Sequence, residues 1–343
     1  MINNWVASIT LQNNSVMKNL LTKILNHESL TYDDSREFIF GIEENTISSD
    51  EAAGIMVGIQ MRGIRLEELD GFRSALLDLC IPLQLDADNA IDLCGTGGDG
   101  KNTFNISTTT SLVLAAMGKK VIKHGNYGVS SICGSSNVLE ELGFRFKETE
   151  AELNKDLEAS NICFIHAPLF HPTMKKIATT RKNLGVRTLF NSLGPIVNPA
   201  QPAYQLTGTY SLELAKMYQH ILSKKRNNFN VAYGMDGYDE ITLTNSTRIL
   251  GKYDDKIISA STFNTEIISP NSIESGSTIQ SAAVIIRNII AGKGTHEQHI
   301  VVAANVATAM SLYENTANYI DLFNEANSFI TSGQTAKHFK INA

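Results

Sequence analysis

The chain has 343 residues and a formal net charge of −6, and 43% of its residues are hydrophobic and 19% charged. This composition excludes a disordered chain, the acidic balance argues against nucleic acid as a partner, and no apolar run approaches the roughly 20 residues that span a bilayer. Because single hydrophobic cores stop growing at about 250–300 residues, we expect two lobes. The four cysteines lack metal-binding spacing and the first residues lack a signal-peptide pattern, so we expect free thiols and a cytoplasmic protein.

The N-terminal part of the chain, from Ser15 to Cys80, has apolar residues at helical spacing in four consecutive runs. Thr31 precedes the second run and Ser49 precedes the third, each followed by acidic residues, as helix-capping residues are. The sequence therefore predicts a small all-helical domain over residues 1–86, whose apolar stripes form a core or a dimer contact.

From Ala90 onward, short apolar runs alternate with helix-length segments, which is the pattern of a parallel sheet covered by helices. We predict a large, doubly wound, mostly parallel α/β domain over residues 87–343. The predicted strands are Ala90–Cys94, Lys119–Lys123, Cys163–His166, Gln205–Thr209, Asn230–Tyr233 and Ile257–Ala260. The predicted helices are Ser107–Met117, Ser131–Leu142, Thr149–Ala159, Pro172–Leu184, Leu212–Leu222, Ala282–Ile290 and His296–Leu312.

A glycine-rich loop follows the first predicted strand, with glycines at Gly95, Gly97, Gly98 and Gly100. Such a loop lets the backbone approach a ligand closely, and the helix-like run after Asn105 offers free N–H groups to an anion. The segment is neither a P-loop nor a dinucleotide-binding GxGxxG motif. Taken alone, it is explained equally well by a tight turn without a ligand.

Polar side chains also follow the second predicted strand. Lys123, His124 and Asn126 lie at its end, and a serine-rich segment from Ser130 to Ser135 opens the next helix. Because the carboxyl ends of parallel strands share one edge of the sheet, we expect these groups beside the glycine-rich loop. The sequence thus predicts an anion-binding site at that edge.

The motifs Gly95–Asp99, Asn105–Thr108 and Lys123–Asn126 resemble the signature of the anthranilate phosphoribosyltransferase family. Residues 171–199, which include Arg181, and Asp236–Glu240 extend the resemblance. It implies an enzyme of tryptophan biosynthesis that transfers the phosphoribosyl group of phosphoribosyl pyrophosphate (PRPP) to anthranilate. It also implies an active site in a cleft between the helical lobe, which the segment 186–204 joins, and the α/β lobe.

The resemblance assigns roles to individual residues. The residues implied to contact PRPP are Gly95, Gly98, Asp99, Thr103, Asn105, Ile106, Ser107, Thr108, Lys123, His124, Gly125, Asn126, Ser130, Ser131 and Ser135. Those implied to contact anthranilate are Gly95, Asn126 and Arg181, and those implied to hold two Mg²⁺ ions are Ser107, Asp239 and Glu240. A homodimer formed through the helical lobe is implied as well.

Several of these residues also have an ordinary structural explanation. Asp239 and Glu240 have the pattern of a solvated turn, and Arg181 lies among lysines, as on a solvated basic face. For His124 and His171 we expect structural roles, because the neutral aryl amine of anthranilate needs little help from a base.

Two positions depart from the family pattern. Tyr127 stands where arginine is common, and Asn137 stands where aspartate is common. Because these changes remove opposite charges, we hypothesise that they compensate each other.

Two other functions remain open from the sequence. A nucleoside phosphorylase has a similar architecture, but its loops resemble these only loosely, and the segment around Arg181 favours anthranilate. A non-catalytic relative that binds nucleic acid would be expected to lose the acidic pair or the glycine-rich loop and to gain clustered basic residues. This chain keeps both motifs.

Overall fold

The computed structural model describes residues 18–128, 133–224, 228–314 and 318–341. The helices, in chain order, are α1 (residues 18–25), α2 (Tyr32–Glu43), α3 (Ser49–Arg62), α4 (Leu66–Asp78), α5 (Ile106–Ala116), α6 (Ser135–Glu141), α7 (Glu150–Ser160), α8 (Ala167–Phe170), α9 (Pro172–Lys176), α10 (Ala178–Leu184), α11 (Leu212–Ser223), α12 (Ile279–Ile290), α13 (His296–Glu314), α14 (Tyr319–Thr331) and α15 (Gln334–Phe339). The strands are β1 (Ala90–Gly95), β2 (Lys120–Gly125), β3 (Ile162–His166), β4 (Tyr204–Gly208), β5 (Asn228–Gly234), β6 (Thr247–Leu250) and β7 (Asp255–Ile258).

The chain divides into two compact units. The helical unit contains the described residues up to Ile81 and a second segment, Pro168–Leu193. The α/β unit contains Pro82–Ala167 and the described residues from Gly194 onward. The predicted boundary at residue 86 lies close to this division, whereas the predicted returning segment 186–204 differs from the observed one at both ends.

The earlier start of the returning segment follows from polar contacts between α9 and α2. Thr173 Oγ1 donates to Glu43 Oε2 at 2.7 Å, and Lys176 Nζ donates to Glu43 Oε1 at 2.9 Å. These bonds attach α9 to the helical unit, so the chain has already returned before residue 186.

Capping residues begin the N-terminal helices, with one difference from the prediction. The Thr31 side chain accepts a hydrogen bond from the Asp34 N–H, as predicted. The cap of α3 is Ser48 rather than Ser49, because the Ser48 hydroxyl accepts from the Glu51 N–H while the Glu51 carboxylate accepts from the Ser48 N–H. The helical unit has a buried aromatic pair, Phe38 and Phe72, with ring centroids 5.8 Å apart.

The α/β unit is built on a seven-stranded sheet with the order β3-β2-β1-β4-β5-β6-β7. The first five strands in this order are parallel, and β6 and β7 are antiparallel additions. This arrangement confirms the predicted mostly parallel sheet. The strand order reverses between β1 and β4, which is the position where open α/β sheets bind ligands.

Some predicted elements differ from the observed ones. The predicted helix Pro172–Leu184 is two helices, α9 and α10, and the predicted strand Ile257–Ala260 is β7, two residues earlier. Strand β6 and helices α14 and α15 were not predicted individually. The predicted helix Ser131–Leu142 begins at Ser135 in α6, and its first two residues lie outside the described residues.

Helix α5 lies at the centre of the α/β core. Its residues Thr108 to Ala115 are all buried, and its apolar side chains belong to one cluster with those of α12, α13 and α14. Burial of this cluster holds the N-terminal end of α5 in a fixed position beside the end of β1. None of the described helices is both long and apolar enough to cross a membrane.

Candidate active site

The glycine-rich loop follows β1 and requires its glycines. Gly97, Gly98 and Gly100 have φ angles of 61°, 69° and 76°, in the left-handed region that side chains other than glycine rarely adopt. Gly97 is exposed, and Gly98 and Asp99 are partly exposed. The loop therefore presents backbone groups to solvent at the carboxyl end of β1, as a site for an anion requires.

The acidic turn that contains Asp239 packs against this loop. Asp239 is buried, its Oδ2 accepts a hydrogen bond from the Gly97 N–H at 2.6 Å, and the Thr96 hydroxyl lies 3.4 Å from the same oxygen. A Cβ on Gly95 would overlap the Asp239 carboxylate, and a Cβ on Gly208 would overlap its backbone carbonyl. Two strand-end glycines thus make room for the acidic turn.

Glu240, the next residue, reaches the start of α5. Its Oε1 accepts a hydrogen bond from the Ser107 N–H at 3.3 Å. A carboxylate at this position is stabilised by the free N–H groups and the positive end of the helix dipole. Ser107, Asp239 and Glu240 border one small cavity, so the three predicted metal ligands are brought together.

Burial and a neighbouring acid raise the pKa of each carboxylate in the acidic turn. Burial, and then the charge of Asp99, raise the pKa of Asp239 to about 7, and burial and Asp239 raise that of Glu240 to about 8. Burial also raises the pKa of Asp99. Among the described residues, neither Asp239 nor Glu240 is in an ion pair with a basic side chain. The pair would be stabilised by a bound cation.

The end of β2 supplies Lys123 and His124. Both side chains are buried, and Lys123 Nζ donates to the Leu93 carbonyl. The Lys123 charge lowers the pKa of Glu240, which places this cation within electrostatic reach of the acidic turn. His124 Nδ1 lies 3.0 Å from the Gly194 carbonyl oxygen, and burial lowers the pKa of His124. These contacts support the structural role expected for His124.

The segment after β2 is packed against the start of α6. The Asn126 carbonyl accepts from the Ser136 N–H at 3.2 Å and from Ser135 Oγ at 3.4 Å. A Cβ on Gly125 would come within 2.5 Å of Ser135 Oγ. Gly125, Asn126 and Ser135 are therefore brought together, while the predicted residues Ser130 and Ser131 lie outside the described part of the chain.

Tyr127 and Asn137, the two departures from the family pattern, make separate contacts. The Tyr127 hydroxyl donates to Glu140 Oε1 at 2.9 Å. Asn137 Oδ1 accepts from the backbone N–H groups of Gly128 at 3.0 Å and Gly134 at 3.1 Å. The amide oxygen thus serves as an acceptor on both sides of the residues 129–132, and the contacts give no support to direct compensation between the two side chains.

Arg181 lies on α10 in the helical unit. Its side chain is buried, with the guanidinium carbon 5.2 Å from the centroid of the Phe190 ring, and its Nε has no hydrogen-bond partner among the described residues. Burial lowers its pKa to about 10. A buried guanidinium without an acidic partner is costly, so the geometry suits a site for an anion. Arg181 is not on a solvated basic face.

Family models match both units. The model described as glycosyl transferase family, a/b domain, matches residues 87–336, and the one described as glycosyl transferase family, helical bundle domain, matches residues 18–80. An anthranilate phosphoribosyltransferase from Christiangramia forsetii is 46% identical over 324 residues, which cover 94% of this chain and 98% of that protein. The chain belongs to the anthranilate phosphoribosyltransferase family.

Solved structures of the family are similar over the whole fold. The crystal structure of the enzyme from Thermus thermophilus has a TM-score of 0.84 and 27% identity, with coverage of 94% of this chain and 97% of that one. The Saccharomyces cerevisiae enzyme in complex with PRPP and Mg has a TM-score of 0.84 and 22% identity, with coverage of 95% and 96%. At that identity the yeast enzyme shows a shared fold alone.

The remaining residues that the family resemblance assigned to the site differ in which of their groups could contact a ligand. Thr103 lies in a short segment that pairs with Glu274, and Asn105 Nδ2 donates to the Cys133 carbonyl at 3.2 Å while its Oδ1 is buried without a partner among the described residues. The side chains of Ile106 and Thr108 are buried in the core. Only their backbone groups are suited to contact a ligand.

The sequence reasoning missed two residues that shape this site. Gly208 ends β4 where the Asp239 backbone passes, and Asp92 lies buried in β1 with its carboxylate against the end of β2. A glycine at the end of a predicted strand and an acid inside an apolar strand were visible signals for both.

Proposed function

We propose that this protein transfers the phosphoribosyl group of PRPP to anthranilate and releases pyrophosphate, as a step of tryptophan biosynthesis. The observation that carries the proposal is the junction of three motifs in the α/β unit. The Asp239 carboxylate is bonded to the glycine-rich loop, and the Glu240 carboxylate is bonded to the start of α5. This junction combines free N–H groups with a pair of acids, as a metal-bound polyphosphate requires.

In this proposal PRPP is held by backbone and side-chain donors at the strand ends. Asp99 and Ser107 contact the acidic turn, Gly98 adjoins Gly97, which is bonded to Asp239, and Lys123 supplies a buried positive charge close to the turn. Departure of pyrophosphate leaves cationic character on the ribose and adds negative charge to the leaving group. Catalysis then comes mainly from positioning the substrates and stabilising that charge.

The acidic pair fits Mg²⁺, the ion named with PRPP in the yeast structure. Asp239 and Glu240 supply carboxylate oxygens as metal ligands. Their pKa values are raised by burial and by neighbouring acids, so a divalent cation would stabilise their charged forms. Bound Mg²⁺ supplies charge that stabilises the pyrophosphate leaving group. The described residues contain no group of three or more His, Cys, Asp and Glu side chains arranged to hold a metal alone. We propose that Ser107, Asp239 and Glu240 would hold two Mg²⁺ ions, with further oxygen ligands from the substrate.

Arg181 is proposed to bind the anthranilate carboxylate. A guanidinium can form two parallel hydrogen bonds with a carboxylate, and its burial without an acidic partner supports this role. Asn126 and Gly95 are proposed to lie near the same substrate. We assign no acid or base, because the amine of anthranilate is already neutral and nucleophilic at pH 7.

We also propose that the protein forms a homodimer through its helical unit and acts in the cytoplasm. Leu25 and Met61, on α1 and α3, are 77% and 82% exposed, and burial of such side chains would favour association. The four cysteines are free thiols, as expected in a reducing compartment. Light scattering after size-exclusion chromatography would test the dimer.

The decisive experiment for the reaction follows the loss of anthranilate fluorescence with purified protein, PRPP and Mg²⁺. The proposal expects Mg²⁺-dependent consumption of anthranilate and release of one pyrophosphate per turnover. Phosphorolysis of nucleosides without anthranilate turnover would identify a nucleoside phosphorylase instead. Binding of nucleic acid without either activity would identify a non-catalytic relative.

A further inference from the structure

A buried polar network lies at the end of β2, and its central carboxylate is not among the groups assigned to substrate. Its centre is Asp92 in β1, which is 1% exposed. Asp92 Oδ1 accepts a hydrogen bond from the His124 backbone N–H at 3.2 Å, and Asp92 Oδ2 accepts from Asn198 Nδ2 at 3.0 Å. Burial of a carboxylate is costly, and these two hydrogen bonds offset part of that cost by fixing the carboxylate between two segments.

Asn198 connects this carboxylate to two further segments. Its Nδ2 also donates to the Ile122 carbonyl at 2.9 Å, and its Oδ1 accepts from the Ala200 N–H at 3.0 Å. One amide therefore bonds to β1, to β2 and to its own loop. An aspartate at this position could not donate to both acceptors, because an ionised carboxylate is only an acceptor.

The loop that contains Asn198 begins at Gly194, where the chain re-enters the α/β unit. The Gly194 carbonyl oxygen lies 3.0 Å from His124 Nδ1, and Gln205 Nε2 donates to the Pro195 carbonyl at 2.5 Å. His124 is thus held on its backbone by Asp92 and at its ring by the re-entering segment. The contacts of His124 with Asp92 and with Gly194 therefore fix the residue that follows Lys123 in the chain.

The charge of Lys123 acts on this network as well as on the acidic turn. Lys123 is 2% exposed, and it lowers the pKa of both Asp92 and Glu240, while burial raises both. The buried ammonium therefore lies within reach of two acids, one in the proposed metal site and one in the network.

We propose that Asp92 is a positioning residue for phosphoribosyl transfer: by fixing the His124 backbone and, through Asn198, the re-entering segment, it holds Lys123 and Asn126 where they meet PRPP. The inference rests on the proposed function, since it takes Lys123–Asn126 as part of the PRPP site. Asp92 touches no substrate in this account, and its effect passes through the strand end.

The test replaces Asp92 with asparagine. Asp92→Asn keeps an oxygen that can accept from the His124 N–H, but it removes the charge near Lys123 and sets a donor against the Asn198 amide. We expect kcat/KM for PRPP, and the calorimetric affinity for PRPP with Mg²⁺, to fall about 10-fold, with the KM for anthranilate within about two-fold of the wild type.

The control variant is Thr308→Ala, which removes a buried hydroxyl that donates to the Ala304 carbonyl at 2.8 Å in α13. We expect it to lower Tm and to leave the PRPP affinity unchanged. If Asp92→Asn lowers Tm to a similar degree but binds PRPP like Thr308→Ala, the role of Asp92 is only structural and the proposal is wrong.

Asn198→Ala provides a second route if Asp92→Asn fails to fold. It should lower PRPP affinity in the same direction and by a smaller factor, because the bond between Asp92 and His124 remains. Unchanged PRPP affinity in Asn198→Ala would overturn the proposal. Measurements on the wild type separate the proposed reaction from the proposed role of Asp92. A wild type that binds PRPP but does not consume anthranilate contradicts the reaction alone, and one that does not bind PRPP contradicts both.

Discussion

The carboxylate of Asp239 accepts a hydrogen bond from the backbone N–H of Gly97 at 2.6 Å, across 142 positions of sequence. This bond joins the acidic turn after β5 to the glycine-rich loop after β1. It requires the turn to approach the sheet edge closely, and Gly95 and Gly208 permit that approach because neither has a Cβ.

The close approach makes Gly208 sensitive to substitution. Gly208→Ala would place a Cβ over the Asp239 backbone, which cannot move as a flexible side chain could, so we expect a loss of about 1–3 kcal/mol in the free energy of unfolding and a marked loss of activity. Gly194→Ala is the matched control, since no atom lies within 4 Å of its added Cβ. Urea unfolding and the anthranilate assay measure both. Equal stability and equal activity of the two variants would show that the Asp239 backbone does not depend on the absence of a Cβ at Gly208.

Arg181→Ala should affect one substrate only. The loss of a charge-assisted pair with the anthranilate carboxylate should raise the KM for anthranilate by about 10-fold or more, while the KM for PRPP stays nearly unchanged. Lys182→Ala is the control, because Lys182 is the next residue of α10 and is exposed. Steady-state kinetics with each substrate varied in turn measures both KM values. An equal rise in the KM for anthranilate and the KM for PRPP would show that Arg181 does not bind anthranilate specifically.

The buried side chain of His166 should make the free energy of unfolding depend on pH. Burial lowers its pKa from 6.5 to about 4, and its ring stacks on Phe146 with centroids 4.5 Å apart. The His166 imidazole therefore binds a proton more tightly in the unfolded chain than in the folded one. Its contribution to the free energy of unfolding is fully present above pH 6.5 and is lost as the pH falls towards 4. Between pH 7.5 and 5, the wild type should lose about 1–2 kcal/mol more than His166→Gln in urea unfolding. Parallel pH profiles would contradict this.

Tyr127 and Asn137 should act independently. Tyr127→Arg removes the bond to Glu140, whereas Asn137→Asp keeps an acceptor for the N–H groups of Gly128 and Gly134. We therefore expect the single change at Asn137 to be tolerated and the double-mutant cycle for PRPP affinity and stability to be additive within about 0.5 kcal/mol. A coupling energy of about 1 kcal/mol or more would restore the hypothesis that these positions compensate each other.

The regular elements could be read from the sequence where the pattern was strong. Five of the six predicted strands coincide with β1 to β5 within two residues at each end, because each is a short apolar run in a buried sheet. Strand β6 was missed because Thr247–Leu250 is four residues long and follows a turn-rich segment. Helix α14 did carry a signal, since its buried residues Tyr319, Leu322, Phe323, Ala326 and Ile330 recur at helical spacing.

The site was predictable in its motifs but not in its contacts. Strand-end rules placed the glycine-rich loop, Lys123 and the start of α5 at one edge of the sheet. The position of the acidic turn against Gly97, and the network of Asp92 with Asn198, depend on pairs more than 100 residues apart. No local pattern encodes such pairs, so their discovery required the folded structure.

The most direct measurement of the central claim is the Mg²⁺ dependence of anthranilate consumption in the wild type and in Asp239→Asn/Glu240→Gln. Because the amides remove the repulsion between neighbouring acids, the variant should be at least as stable as the wild type, and thermal unfolding followed by circular dichroism can verify this. The account predicts that its rate falls by about 100-fold or more at low Mg²⁺ and recovers at most partly at high Mg²⁺. A folded variant with the Mg²⁺ dependence and rate of the wild type would contradict it.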